Sequence, residues 1–244
     1  MIHSDNAPNS FKIYDDDKFI VSYPRSGQTW LRSLIAHVAF SNKAWMMSHV
    51  DTMIPDFRRT TRIQRQYMPR PRLLKSHEYY NERFPTVLYL IRDPRAVAYS
   101  QWNWRSRMND SSPWKYYGDF DMEFINHFIE GEIFPGSWDK HVNSWTGWSI
   151  IMTKAVIVLK YEDLFTDSTI ALQNVCEYLN IEWDRTKIDN AFDDFPAGKA
   201  THFLKSSIKP LGANPDEWKM HMTYDMKKTI EINYYPIMDM FDYV

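Results

Sequence analysis

The chain of 244 residues carries 29 Lys and Arg against 31 Asp and Glu, a formal net charge of −2, with 44% hydrophobic and 25% charged residues. That balance excludes the strongly basic character of a dedicated nucleic-acid binder and the apolar poverty of a disordered chain. The single cysteine, Cys176, excludes an internal disulfide or a cysteine-rich metal centre.

In chain order, residues 1–17 read as a polar leader without a signal-type apolar stretch. No apolar run approaches the ~20 residues of a membrane helix. The expectation is a soluble, cytoplasmic protein of one domain, residues 1–244. Lys18–Tyr23 (KFIVSY) is a buried first strand. Pro24 stops it, Arg25-Ser26-Gly27 form a tight loop, and a helix follows from Thr29 to Phe40. Residues 41–70 hold one or two short helices. Within 58–72 the basic run RRTTRIQRQYMPRPR is either a solvated face or a positive lip over an anionic ligand. Arg72–Ser76 is a short strand and Thr86–Ile91 (TVLYLI) a second buried one. Pro94 sits at a favoured first helical position, and that helix reaches Arg105. Residues 106–120 form a loop, followed by helices at 121–131 and 137–150. Ala155–Lys160 (AVIVLK) is a third strong strand, and Thr166–Leu179 a helix with Cys176 on its buried stripe. Residues 190–215 read as loop, and a last helix runs from Asp216 to Ile232.

The strands are continuous apolar runs separated by helices. This pattern predicts a three-layer α/β/α fold around a central parallel sheet covered on both faces.

The octet YPRSGQTW, Tyr23–Trp30, joins a strand to a helix. Its backbone N–H groups, the helix dipole, Gly27, the hydroxyls of Ser26 and Thr29 and the Arg25 guanidinium all suit a phosphate or sulfate. Neither the triphosphatase pattern G-x-x-x-x-G-K-[ST] nor the dinucleotide pattern G-x-G-x-x-G is present.

The octet resembles the 5′-phosphosulfate loop, Y-P-[KR]-S-G-x-T-W, of the sulfotransferases that use 3′-phosphoadenosine 5′-phosphosulfate (PAPS), which have a P-loop-like α/β fold. The resemblance implies that Arg25, Ser26, Gly27, Gln28 and Thr29 hold the 5′-phosphosulfate and that Trp30 stacks on adenine. RDPRAVAYS, Arg92–Ser100, resembles the second cofactor segment and implies Arg92 and Ser100 at the 3′-phosphate. Read alone, Arg-Asp-Pro-Arg is equally a capped turn with an ion pair. KYEDL, Lys160–Leu164, implies Tyr161 beside the adenine, and Phe192 keeps a similar contact where Asn190 and Ala191 depart from the family's Thr-Ser. FPGSWDKHVNSW, Phe134–Trp145, resembles a family scaffold segment, with His141 structural. In KSSIKPLGANPDEWK, Lys205–Lys219, only Trp218-Lys219 matches. Lys205 or Lys209 stands in for the missing Arg-Lys-Gly at the 3′-phosphate.

Leu73-Leu74-Lys75-Ser76-His77 resembles the family's K-[TS]-H. It implies His77 as general base, with Lys75 and Arg25 at the sulfonate and bridging oxygens. Lys75 and His77 share a direction if the strand runs through both. The resemblance implies PAPS as the co-substrate, with no metal required.

The expected partner is a small-molecule acceptor, an alcohol, phenol or amine, with neither nucleic acid nor membrane expected. Trp45, Met46, Met47, Trp102, Trp104 and Trp114 are candidate pocket residues, and Asp51, Asp56, Asp110 and Asp119 would suit a cationic acceptor. Near the C-terminus, Tyr224 and Lys228 depart from the family's dimerisation pattern, so a monomer or a different dimer is expected. A kinase on the same fold, or an inactive nucleotide-binding relative, are the alternatives. The absent triphosphatase lysine argues against the first, and the presence of Arg25, Lys75, His77, Arg92 and Ser100 against the second.

Overall fold

The computed structural model describes residues 12–40, 50–61, 67–147, 155–197 and 214–244. Four strands form one sheet: β1 (Lys18–Ser22), β2 (Leu73–Ser76), β3 (Thr86–Ile91) and β4 (Ala155–Lys160). All are parallel, in the order β2-β1-β3-β4. The chain therefore leaves β1 to one side and returns to the other. This makes a topological switch point between the C-terminal ends of β1 and β3, the usual ligand crevice of open α/β sheets.

Strand periodicity splits the apolar runs between two cores. Ile20, Leu88 and Leu90 face one layer, formed by α1 (Gln28–Phe40) and later helices. Phe19, Val21, Val87, Tyr89 and Ile91 face the other. In chain order the short α2 (Val50–Met53) falls between α1 and β2. The second layer is built from α4 (Met122–Glu130), α5 (Trp138–Thr146) and α9 (Tyr224–Met240). The first also holds α6 (Asp163–Thr166), α7 (Ser168–Tyr178) and α8 (Arg185–Asp194). α3 (Pro94–Ser106) follows β3. Both sheet faces are covered, as the unbroken apolar strands predict.

Several expected boundaries shift for local reasons. The first helix starts at Gln28, and β2 spans only Leu73–Ser76. The helix expected at 166–179 spans Ser168–Tyr178, preceded by the separate short helix α6, and Asp167 leaves helical geometry between the two. The expected loop from residue 190 is helical to Asp194, and α8 starts where Asp184 caps the Lys187 N–H at 2.8 Å. The last helix is not continuous from 216. A 3₁₀ turn at Glu217–Met220 ends before Thr223, which caps the N–H of Met226 and starts α9. α9 outruns its expected end at Ile232 because Pro236 lies on the exposed face, where the Ile232 carbonyl that loses its partner can meet water. α5 ends at Thr146, short of the expected 150, because Gly147 leaves helical geometry; residues 148–150 lie outside the described residues.

Cys176 is fully buried in the first core, and burial pushes its thiol up to about 12. It behaves as a small hydrophobe.

Leu88, with no exposed surface on the central strand β3, gives a test of this core. Leu88→Ala should destabilise the protein by about 2–5 kcal/mol, read from the shift of its urea unfolding midpoint.

Candidate functional site

The loop between β1 and α1 is bent by two residues with positive φ, Arg25 at 72° and Gly27 at 93°. Alternating positive-φ residues turn successive N–H groups into a concave anion nest. Gly27 cannot be replaced without cost, since an added Cβ would lie 2.2 Å from the Tyr161 ring. Tyr161, just beyond β4, closes over the loop, and burial raises its phenol to about 12.

Cations surround this nest. The half-buried Arg25 donates from Nε to Ser100 Oγ at 3.2 Å and lies 5.7 Å from the Trp104 ring. The buried Arg92 donates to the Arg25 carbonyl at 3.3 Å and stacks on Tyr161 at 4.3 Å. Burial, reinforced by the like charge of Arg92, lowers the Arg25 guanidinium to about 10. An anion bound here would reverse that penalty. Ser26 Oγ is buried and makes no hydrogen bond among the described residues. The donors thus fit a phosphate- or sulfate-bearing ligand, and the ring-lined wall beyond fits a flat base. That wall is Trp30, whose ring lies edge-on to Tyr161 and Phe192 and tilted to Phe165.

Not every residue of the loop points its side chain at the nest. Gln28 donates to the carbonyls of Ile20 and Ser76 at 2.7 and 3.2 Å, pinning α1 to β1 and β2. Trp30 Nε1 donates to Phe195 O at 2.7 Å. Thr29 is half-buried at the start of α1. The Arg-Asp-Pro-Arg segment divides its two readings between residues. Arg92 joins the nest, while Arg95 is buried in a network with Asp93, Glu231 and the Tyr243 carbonyl. Asp93 also caps α3 through the Arg95 N–H at 2.8 Å.

β2 delivers the second half of the site. Strand geometry stops at Ser76, one residue short of His77, so the expected strand continuation through both Lys75 and His77 fails. A hydrogen bond takes over: His77 Nδ1 lies 2.8 Å from the Ser22 carbonyl at the end of β1. A carbonyl only accepts, so Nδ1 carries the proton and Nε2 keeps a lone pair. Burial, followed by the Lys75 charge, lowers the His77 imidazole to about 3. It is neutral at physiological pH.

Lys75 has an unforeseen partner. Pro55 to Phe57 pair with Lys75 as a short outer bridge, by the bonds Lys75 N to Pro55 O at 2.9 Å and Phe57 N to Lys75 O at 2.8 Å. This sets Asp56 Oδ2 3.5 Å from Lys75 Nζ. Nearby, the buried Arg32 donates to Asp51 at 2.8 Å and to Ile54 O at 2.7 Å. Burial and the Arg32 charge lower the Lys75 ammonium, against the pull of Asp56. Arg32 sits on a helix whose apolar pattern gave no warning of a buried cation. The Asp56 contact spans 19 positions and follows no local rule.

Of the candidate acceptor carboxylates, Asp51, Asp56 and Asp110 face Arg32, Lys75 and Lys115. Asp119 is exposed. Trp102 is tied into packing, with Nε1 on Gly118 O at 3.1 Å. Trp114 remains exposed, against Phe134 at 5.7 Å. The described part of the basic run is largely ion-paired, Arg58 with Glu78, Arg70 with Asp16, and Arg72 with the buried Asp17. Lys205, Lys209, Trp45, Met46 and Met47 lie outside the described residues. The site residues Arg25, Ser26, Gly27, Arg92, Ser100, Tyr161, Lys75 and His77 therefore gather around the ends of the parallel strands.

Comparison with known proteins agrees with this geometry. The sulfotransferase domain family matches residues 15–239. The 3-beta-hydroxysteroid sulfotransferase of Cavia porcellus is 23% identical, over 88% of this chain and 81% of its own length. Sulfotransferase 2B1 of Mus musculus is 26% identical, over 93% and 73%. Among solved structures, mouse sulfotransferase SULT7A1 complexed with PAP superposes with a TM-score of 0.72 at 19% identity, covering 92% of this chain and 85% of that one. Retinol dehydratase in complex with androsterone and the inactive cofactor PAP gives 0.69 at 17%, covering 93% and 82%.

One electrostatic consequence concerns the fully buried His141, whose imidazole burial lowers to about 4. Folded, it resists protonation; unfolded, it takes a proton as pH falls through 6.5. Stability is therefore lost on acidification, by up to about 1.4 kcal/mol per pH unit between 6.5 and 4. Urea unfolding at pH 7 and 5 should show a smaller acid loss for His141→Gln than for the parent. Equal losses would mean that His141 does not resist protonation in the fold.

Proposed function

The chain belongs to the sulfotransferase domain family, and on that premise we propose that it moves the sulfonate of PAPS to a hydroxyl or amine of a small-molecule acceptor, releasing adenosine 3′,5′-bisphosphate (PAP). The observation that carries this reading is the pairing of the Arg25–Arg92 anion nest with a neutral histidine held beside it at the sheet edge. Arg25, Ser26 and the N–H groups around Gly27 hold the 5′-phosphosulfate. Arg92 and Ser100 hold the 3′-phosphate, completed by Lys205 or Lys209. Trp30, Tyr161 and Phe192 flank the adenine.

His77 Nε2 takes the acceptor proton as the acceptor oxygen or nitrogen bonds to sulfur. The sulfur–oxygen bond to the phosphate breaks in line, and its electron pair stays on PAP. Lys75 and Arg25 offset the charge that grows there. No metal is needed, because these cations and N–H groups supply the compensating charge.

The acceptor is a small molecule with an apolar body, meeting Trp104, Trp114 and Phe134. Engagement of Asp51, Asp56 and Asp110 with basic partners favours this over a cationic acceptor. The androsterone and retinol complexes of retinol dehydratase are examples of small apolar ligands on this fold. No helix among the described residues is long and apolar enough to cross a membrane, in keeping with a cytoplasmic location. The chain acts as one domain. It is a monomer or an atypical dimer, because Tyr224 is exposed and Lys228 is engaged by Glu231 at 3.2 Å.

With an acceptor of high pKa, His77→Ala should lower turnover by about 10²–10⁴ while PAP affinity by calorimetry stays near that of the parent. Full activity in that variant would remove His77 as the base. Arg92→Ala should weaken PAP binding at least tenfold, about 1.4 kcal/mol, and turnover of the parent should survive chelation. Unchanged PAP affinity would displace Arg92 from the 3′-phosphate, and activity restored only by magnesium would overturn the metal-free chemistry.

A further inference from the structure

Immediately after β2, four consecutive residues are each caught by one face of α5 or by the residue before it. His141 Nε2 lies 3.3 Å from the His77 carbonyl. Trp145 Nε1 donates to the Glu78 carbonyl at 2.9 Å. Tyr79 OH donates to the Ser137 carbonyl at 3.4 Å, and the Tyr80 N–H donates to Ser144 Oγ at 3.1 Å. Ser144 Oγ in turn donates to the His141 carbonyl at 2.7 Å. Positions 137, 141, 144 and 145 share one helical face by the 3.6-residue period. The segment His77–Tyr80 lies along that face like a rail.

His141 has its own fixed orientation. Its Nδ1 lies 2.9 Å from Tyr89 OH, which rises from β3. The His77 carbonyl only accepts, so His141 carries its proton on Nε2, and Nδ1 accepts from Tyr89. Protonation of both nitrogens would force the Tyr89 hydroxyl to turn from donor to acceptor, and complete burial opposes it. Gly136, at φ 134°, admits the Tyr79 hydroxyl where any Cβ would lie 2.6 Å from it. The approach to α5 is thereby closed against the same rail.

We propose that His141, oriented by Tyr89 and backed by Trp145 and Ser144, is a positioning residue that fixes the backbone of His77 and so aims its ring at the reacting atoms. The inference rests on the reading of His77 as general base. His77 is then held at two points: its ring Nδ1 by Ser22 O of β1, and its carbonyl by α5. A ring tethered only through Nδ1 can pivot about that bond, and the second point removes the pivot. His141 touches neither donor nor acceptor in this arrangement and acts only through His77.

The test is a double-mutant cycle read by steady-state kinetics, with PAP affinity and thermal melting measured alongside. His141→Leu removes both bonds, and His141→Gln retains a donor near Nε2. His141→Leu should lower kcat about tenfold to a hundredfold, the size expected for a misplaced reacting group, with PAP affinity unchanged. His141→Gln should recover most of that loss. In a His77→Ala background, His141→Leu should cost no further turnover, because there is no base left to aim. The proposal is overturned if His141→Leu costs the same factor in both backgrounds, or leaves kcat intact. If His141→Leu does not fold, Trp145→Phe takes its place in the same cycle with the same criteria. Should His77→Ala itself keep full activity, the base assignment falls, and nitrogen NMR of His77 decides the clamp separately. A well-defined Nδ1–H tautomer in the parent that becomes mixed in the His141 variant supports it, and an unchanged tautomer overturns it.

Discussion

Two guanidinium groups, Arg25 and Arg92, lie within each other's field at the crevice between β1 and β3, Arg92 donating to the Arg25 carbonyl. Like charges partly removed from water are costly together, and the fold surrounds them with aromatic faces and a hydroxyl, with the Glu162 carboxylate within electrostatic reach of Arg92. Arg92 lies on the face of Tyr161, and Arg25 is held by Ser100 and approaches Trp104. Aromatic faces and a hydroxyl soften the charge. An anion brought to this point would offset the mutual repulsion of Arg25 and Arg92. The contrast with Arg95 is instructive: three residues along the same segment, it is neutralised by Asp93 and Glu231 and serves the packing of α3 against α9.

The remaining pieces of the site follow from keeping that crevice open and shaped. Tyr161 can cover the nest only because Gly27 has no side chain, and it also supplies the face on which Arg92 rests. Trp30, on the first turn of α1, meets Tyr161, Phe165 and Phe192, so the adenine-sized wall is made from three separate segments. Gln28 ties that same turn to both neighbouring strands. A shift of α1 would therefore disturb the nest, the aromatic wall and the exit of β2 together.

Across β1, the electrostatics are reversed in purpose. Lys75 and Arg32 lie near one another, and each is met by an aspartate, Asp56 and Asp51. These pairs hold Lys75 in place without removing its charge, and that charge is one reason His77 stays neutral. The committed Nδ1–H leaves a lone pair free at Nε2. Asp56 is the carboxylate whose field favours a protonated His77.

The sequence by itself determined the sheet, the nest and the identity of the charged groups in it. Unbroken apolar runs can be buried only on both faces of a parallel sheet. The octet Tyr23–Trp30, Lys75, His77, Arg92 and Ser100 were legible because strand-end loops are local, and their donors are set by neighbours in the chain. What only the tertiary structure decided is who meets whom across long separations. The Asp56–Lys75 bridge, the engagement of Arg32, the Gly27–Tyr161 contact and the grip of α5 on His77–Tyr80 join residues 19 to 134 positions apart. The division of Arg92 and Arg95 between site and scaffold belongs here too, since both readings fit the same four letters. Such contacts follow no period and no short-range propensity. They arise from the close packing of helices against a sheet whose strand order is itself a three-dimensional fact.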